Sequence, residues 1–185
     1  MIKRMRQSFD NYYKKLNVLY KKEYGTRPTV TFDSKLKKEV IISKENSDGE
    51  VEWQMYPVSE FSKEIVSEQL GFKISDDLYE YYSTYYYAHL TGRIDDTILY
   101  FIPNGFSDNL ISFIKQQYVE ACYYFPEKRY FLLGTANKNS NDDMLIFFDN
   151  DNNRIFLHDI EVKTDYELDD LVSLVWNMEA YWTIL

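Results

Sequence analysis

Phe9, Tyr13, Leu16 and Tyr20 recur at spacings of four, three and four, the period of one helix face. They predict a helix over about residues 3–24. Gly25 suits its left-handed end and Pro28 cannot continue it. The lysines lie mostly off this stripe, so the basic helical segment 1–25 is expected to pack on the rest of the domain. A basic amphipathic helix lying on an anionic membrane is the second reading.

"EVIIS" (39–43) and "EVEWQM" (50–55) read as strands joined across "ENSDG", a loop with turn chemistry. A helix over about 59–70 follows, with Ser59 as N-cap and Gly71 as its stop. "DDLYEYYSTYYYAHL" (76–90) reads as a helix carrying six tyrosines. "TILYFI" (97–102) is a buried strand, "PNG" a turn, and Ser107 the cap of a helix running to about Cys122. "RYFLLGTA" (129–136), "MLIFFD" (144–149) and "RIFLHDI" (154–160) are strands, the first two joined by the polar loop "NKNSNDD". "TDYE" reads as a capping box, Thr164 at N-cap and Glu167 at N3, opening a last helix with Leu168, Leu171, Val172, Val175 and Met178 as its stripe.

Strands in pairs and threes among helices predict an α+β fold, one domain over residues 1–185. Its sheet should be mixed or mostly antiparallel, of about six strands, with helices packed on it. At about 100° per residue, Tyr81, Tyr82, Tyr85 and His89 share the buried face with Leu78. Tyr79 and Tyr86 fall at its boundary, and Tyr87 points outward beside Glu80 and Thr84.

Composition narrows the function classes. The 185 residues are 45% apolar and 18% aromatic, enough for a proper core. No apolar run approaches the roughly 20 residues of a spanning helix, and the basic start "MIKRMRQSF" lacks the apolar region of a signal peptide. The single cysteine, Cys122, fits a reducing compartment. The expectation is a cytoplasmic protein, with a peripheral position at the inner face of the membrane as the second reading. The net charge of −9 disfavours nucleic acid as a partner. The charge is uneven: residues 1–38 carry eleven Lys/Arg and three Asp/Glu (+8), and the rest ten against twenty-seven (−17). An acidic face of this kind attracts a basic protein partner.

Candidate chemistry is sparse. None of the six glycines stands in a phosphate-loop context. His89 and His158 have no neighbouring metal-ligand spacing, and no basic residue flanks Cys122 to activate it. "DNDNN" (149–153) fails as a calcium loop, because Arg154 and Ile160 stand where glycine and glutamate are needed. No catalytic residue, metal site or cofactor is therefore expected.

Several local patterns resemble a known family. They are the aromatic N-terminal helix ending in "EYGTRP", then "EVEWQMYP", "LGFKISDDLYEYYSTYY", "ILYFIPNGFSDNLISFI" and "MLIFFDNDNNRIF" ahead of a C-terminal helix. Chiefly through Pro28, Trp53, Gln54, Pro57 and the tyrosine-rich segment, the chain resembles the Syd (SecY-interacting) family of the SUKH superfamily, from about Phe9 to Met178. The resemblance implies a single α+β domain that binds proteins and has no enzymatic activity. It implies either an immunity protein that blocks a bacterial toxin domain, or a regulator docked on cytosolic loops of the SecY translocon. The chain departs from Syd in its dense tyrosines and in "NKNSNDD", where acids are few. The candidate contact residues are the aromatic–acidic cluster Glu52, Trp53 and Tyr56, the outward Tyr87, and the loop acids Asp95, Asp96, Asp142 and Asp143.

Overall fold

In the computed structural model, which describes residues 2–59, 61–139 and 141–181, the first helix forms where the apolar spacing places it. Helix α1 (Ile2–Glu23) buries Met5, Phe9, Tyr12, Leu16 and Tyr20. Tyr13 lies on the shoulder of this stripe, and its hydroxyl donates to the Trp53 carbonyl at 2.7 Å. Strands β1 (Thr29–Thr31), β2 (Glu50–Glu52) and β3 (Tyr56–Pro57) follow. Then come helices α2 (Lys63–Leu70) and α3 (Asp76–Thr84) and strands β4 (Tyr85–Tyr86), β5 (Leu90–Ile94) and β6 (Thr97–Phe101). Helix α4 (Leu110–Cys122), β7 (Tyr130–Lys138), β8 (Asn141–Asp149), β9 (Arg154–Asp159), β10 (Thr164–Glu167), α5 (Leu171–Asn177) and β11 (Glu179–Ala180) complete the order.

The fold is α+β, as expected, around one seven-stranded sheet in the order β10-β9-β8-β7-β6-β5-β11. Every neighbouring pair in it is antiparallel. Two small sheets, β1-β2 and β3-β4, lie outside it. Tyr81 of α3 packs on Phe101 of β6 with ring centroids 6.1 Å apart, and Met178, just after α5, sits against Gly92 of β5. Helix α4 packs along β7, placing Tyr118 5.7 Å from Phe131. A second buried cluster joins Ala121 to Phe147 and Phe156. No described helix is long and apolar enough to cross a membrane.

The largest departure from the sequence pattern is in the tyrosine stretch. Helix α3 ends at Thr84, and Tyr85 is already extended (φ −142°, ψ 148°). The cause lies elsewhere in the chain. Asn104, fully buried, donates from Nδ2 to the Tyr85 carbonyl (2.9 Å) and accepts the Tyr87 N–H on Oδ1 (2.9 Å). Gly105 N–H donates to the Tyr87 carbonyl at 2.9 Å. These bonds hold residues 85–87 as extended chain, so helical angles stop applying. Tyr87 therefore turns inward and is 0% exposed. Its hydroxyl lies 2.6 Å from that of Tyr81 and donates to the Ile102 carbonyl at 3.2 Å. Tyr81 and Tyr82 are buried and Tyr79 half-buried, as the helical angles place them, while Tyr85 is buried and Tyr86 half-buried as residues of strand β4. Glu80 and Thr84 are buried rather than outward. Replacing Asn104 by Ala strands two buried backbone groups, so urea unfolding of N104A should show a loss of about 3 kcal/mol.

Four smaller departures have local causes. "EVIIS" forms turns, with Val40 N–H bonded to Lys37 O at 3.0 Å, and only Ile41 bridges to Trp53. The partner of β2 is instead β1. Helix α2 is capped by Ser62 rather than Ser59, accepting from Glu64 and Ile65 N–H. Helix α4 is capped by Asn109, whose Oδ1 accepts from Ser112 N–H at 3.0 Å, rather than by Ser107. "TDYE" is strand β10, and the cap of α5 is Asp170, which accepts from Ser173 N–H at 2.9 Å.

Candidate protein-binding surface

The candidate contact residues divide into three groups. Trp53 is fully buried, its ring tilted against that of Tyr13 with centroids 5.5 Å apart, and its indole N–H has no acceptor among the described residues. It is a core residue and not a contact. Glu52 ends β2, half-buried, and Tyr56 in β3 is 41% exposed and paired with Tyr86. With Trp53 inside, no aromatic–acidic cluster forms there. Tyr87 is also removed from the contact set by the burial described above.

The acids fare differently. Asp95 and Asp96 form the two-residue turn between β5 and β6, and both are exposed. Asp95 takes a positive φ of 50°, which Asp tolerates better than most residues. Asp142 is exposed near the start of β8, where its carboxylate accepts from the Asn137 amide. Asp143 also lies in β8, but its side chain is outside the described residues. Thr97 pairs with Lys138, Lys138 with Asn141, and Met144 with Asp159. These registers bring the β5–β6, β7–β8 and β9–β10 turns to one end of the sheet, across roughly 20 Å at one strand spacing per step.

The third of these turns leads into a feature that the sequence pattern did not single out. Residues 159–170, "DIEVKTDYELDD", hold six acids and one lysine, a net of −5. They form the β9–β10 turn, the edge strand β10 and the approach to α5. Asp159 is buried and shapes the turn by accepting from Glu161 and Val162 N–H, both at 3.0 Å. Lys163 closes it with a positive φ of 55°. The remaining acids face solvent. Asp165 meets His158 Nδ1 at 2.7 Å yet stays 55% exposed, and Glu167 lies 3.9 Å from Arg154 at 67% exposure. Among the described residues, none of Asp95, Asp96, Asp142, Glu161 or Asp169 takes part in an ion pair.

Apolar side chains stand among these charges. Ile160, Val162 and Tyr166 are exposed on the turn and edge strand. Tyr124 is also exposed, and its ring lies 6.5 Å from that of His158, the cross-strand partner of Asp165. Exposed aromatic and aliphatic groups surrounded by acids are the composition of an interaction surface for a basic partner. The missed signal was the run of acids itself. Reading "TDYE" as a helix cap hid it, since carboxylates are ordinary at a helix start.

The opposite end of the sheet is chemically different. A cavity of about 500 Å³ is lined by Lys63, Lys73, Asp76, Asp77, Arg129 and Asp151. Its charges are largely satisfied within the chain: Lys63 pairs with Asp76, Arg129 with Asp151 at 3.4 Å, and Asn153 bonds Asp77. Of the two histidines, His89 is held neutral, its pKa lowered by burial to about 4. The folded state then binds fewer protons than the unfolded state between pH 6.5 and 4. Stability present above pH 6.5 is lost as the pH falls to 4, by about 3 kcal/mol from this group. An NMR titration of His89 should find a midpoint near 4, and His89→Gln should flatten that part of the pH–stability curve. A midpoint near 6.5 would contradict it. No protein-family model and no curated protein matches the chain.

Proposed function

We propose that the chain is a non-catalytic, cytoplasmic protein-binding module that holds a basic protein partner on its acidic sheet end and the adjoining edge strand. The observation that carries this reading is the run from Asp159 to Asp170. It combines a net charge of −5 with exposed Ile160, Val162 and Tyr166 on one edge of the sheet. Complementary charge accelerates association and fixes orientation, while the apolar groups supply the affinity. The resemblance to Syd and SUKH proteins favours an immunity protein whose partner is a bacterial toxin domain. The test is co-expression with the toxin domain that this reading places in the adjacent gene. Protection of the cells supports it. Absence of such a gene, or killing despite expression of this chain, counts against it.

A second reading is a regulator that docks on basic cytosolic loops of SecY. It is favoured by the solvent-facing side of α1, where exposed Lys14 and Lys22 flank exposed Val18. Such a side suits a protein working beside an anionic membrane. Binding to SecY-containing vesicles at low salt, with none to lipid alone, would favour it over the first.

A further inference from the structure

We propose that β10 is the docking edge itself, and that the partner adds to it an extended strand in which basic residues alternate with apolar ones. The proposal rests on the acidic-surface reading and specifies how that surface is used. Strand β10 is the outermost strand of the sheet, paired only with β9. The hydrogen-bond phase shows which of its backbone groups are free. Leu168 N–H donates to Ile155 O at 2.9 Å, and these residues continue the β9–β10 register. Alternate pairs in an antiparallel ladder exchange hydrogen bonds. Tyr166–Leu157 and Thr164–Asp159 are therefore the bonded pairs, and the N–H and C=O groups of Asp165 and Glu167 point away from the sheet. No described residue bonds to them.

The side chains decide what sits there. Asp165 and Glu167 alternate with Thr164 and Tyr166, so the two acids lie on one face and the tyrosine on the other. A strand laid alongside brings its residues to about 5 Å from these neighbours. On the first face Lys or Arg would meet two carboxylates that remain more than half exposed. On the other, an apolar side chain would meet the Tyr166 ring, which is 38% exposed and held by Lys138 at 4.7 Å. A second copy of β10 would instead set acids against acids, which is destabilising. The edge thus excludes its own kind and admits a basic strand. Ile160, Val162 and Tyr124 border it and extend the apolar contact.

The experiment is an NMR titration of the full-length chain with a ten-residue synthetic peptide alternating Lys with Val and Thr. A Glu-for-Lys version serves as control. Strand addition slows amide exchange at Asp165 and Glu167 at least tenfold with the Lys peptide, and leaves it unchanged with the Glu peptide. Glu167→Pro is compared with Glu167→Gln, which loses the same carboxylate but keeps its N–H; the proline removes one outward N–H without touching the bonds to β9. It should weaken peptide binding at least tenfold relative to Glu167→Gln. Should that variant fail to fold, amide exchange in the wild-type chain decides alone. If the Lys peptide binds and shifts these residues while their exchange stays fast and Glu167→Pro binds as well as Glu167→Gln, strand addition is overturned and the acidic-surface reading survives. If the Lys and Glu peptides behave alike, both fall.

Discussion

Gly134→Ala should cost about 3 kcal/mol or more of folding stability, a large share of what a domain of this size possesses. Gly134 follows a register shift in β7, between Leu132 and Gly134, and pairs with Phe101 and Ile146 on its two sides. A β-carbon there would stand 2.0 Å from the Tyr100 carbonyl oxygen and 2.9 Å from the Phe101 α-carbon. Both obstacles are backbone of β6, so no rotamer change relieves the clash. The central strands would have to separate, breaking the ladder that aligns the β5–β6 and β7–β8 turns. Urea unfolding of G134A should show the midpoint falling sharply. An unchanged midpoint would mean that β6 and β7 are not in this register.

The register matters for the proposed function because it gathers acids distant in sequence at one sheet end. It was only partly legible beforehand. The long apolar runs of β6, β7, β8 and β9 declared themselves, as did the stripe of α1, because burial on both sides leaves a dense local signal. Strand β5, "LTGRI", carries glycine and arginine, and beyond Leu90, the last residue of the tyrosine segment, it gives no strand signal of its own. Strands β10 and β11 are four and two residues long, and their partners, not their own composition, make them strands. The acids Asp95, Asp96 and Asp142 were chosen as loop residues and do lie at exposed positions. Their convergence could not be read without the pairing of Thr97 with Lys138.

Trp53 and Tyr87 failed as contacts for the same reason. An aromatic side chain serves a core or an interface equally well, and the choice depends on a distant group. For Trp53 it is Tyr13 on α1, whose hydroxyl and ring hold the strand end inward. For Tyr87 it is Asn104, which ends α3 early. Tyr56 is exposed but lies on the separate β3–β4 sheet, and the exposed aromatic and aliphatic residues beside the acidic edge include Tyr124, Tyr166, Ile160 and Val162. Each stands near carboxylates that the fold leaves in solvent.

The second large effect concerns binding. Asp165→Lys combined with Glu167→Lys changes the edge by four charges at two exposed positions. It should slow association with the proposed basic partner roughly tenfold or more at low ionic strength. The difference should shrink as salt rises and the Debye length falls to about 3 Å at 1 M. Stability should change little, because both side chains are more than half exposed. Tyr56→Ala, on the separate β3–β4 sheet, should leave the association rate as it is.

The most direct measurement is stopped-flow association of the wild-type chain and the Asp165→Lys/Glu167→Lys variant with the proposed basic partner, a toxin domain sought in the adjacent gene, from low to high salt. The expected result is a fast, salt-sensitive rate for the wild type and a slow, nearly salt-independent one for the variant. Equal rates for the two at low salt would contradict the claim that this acidic edge receives the partner.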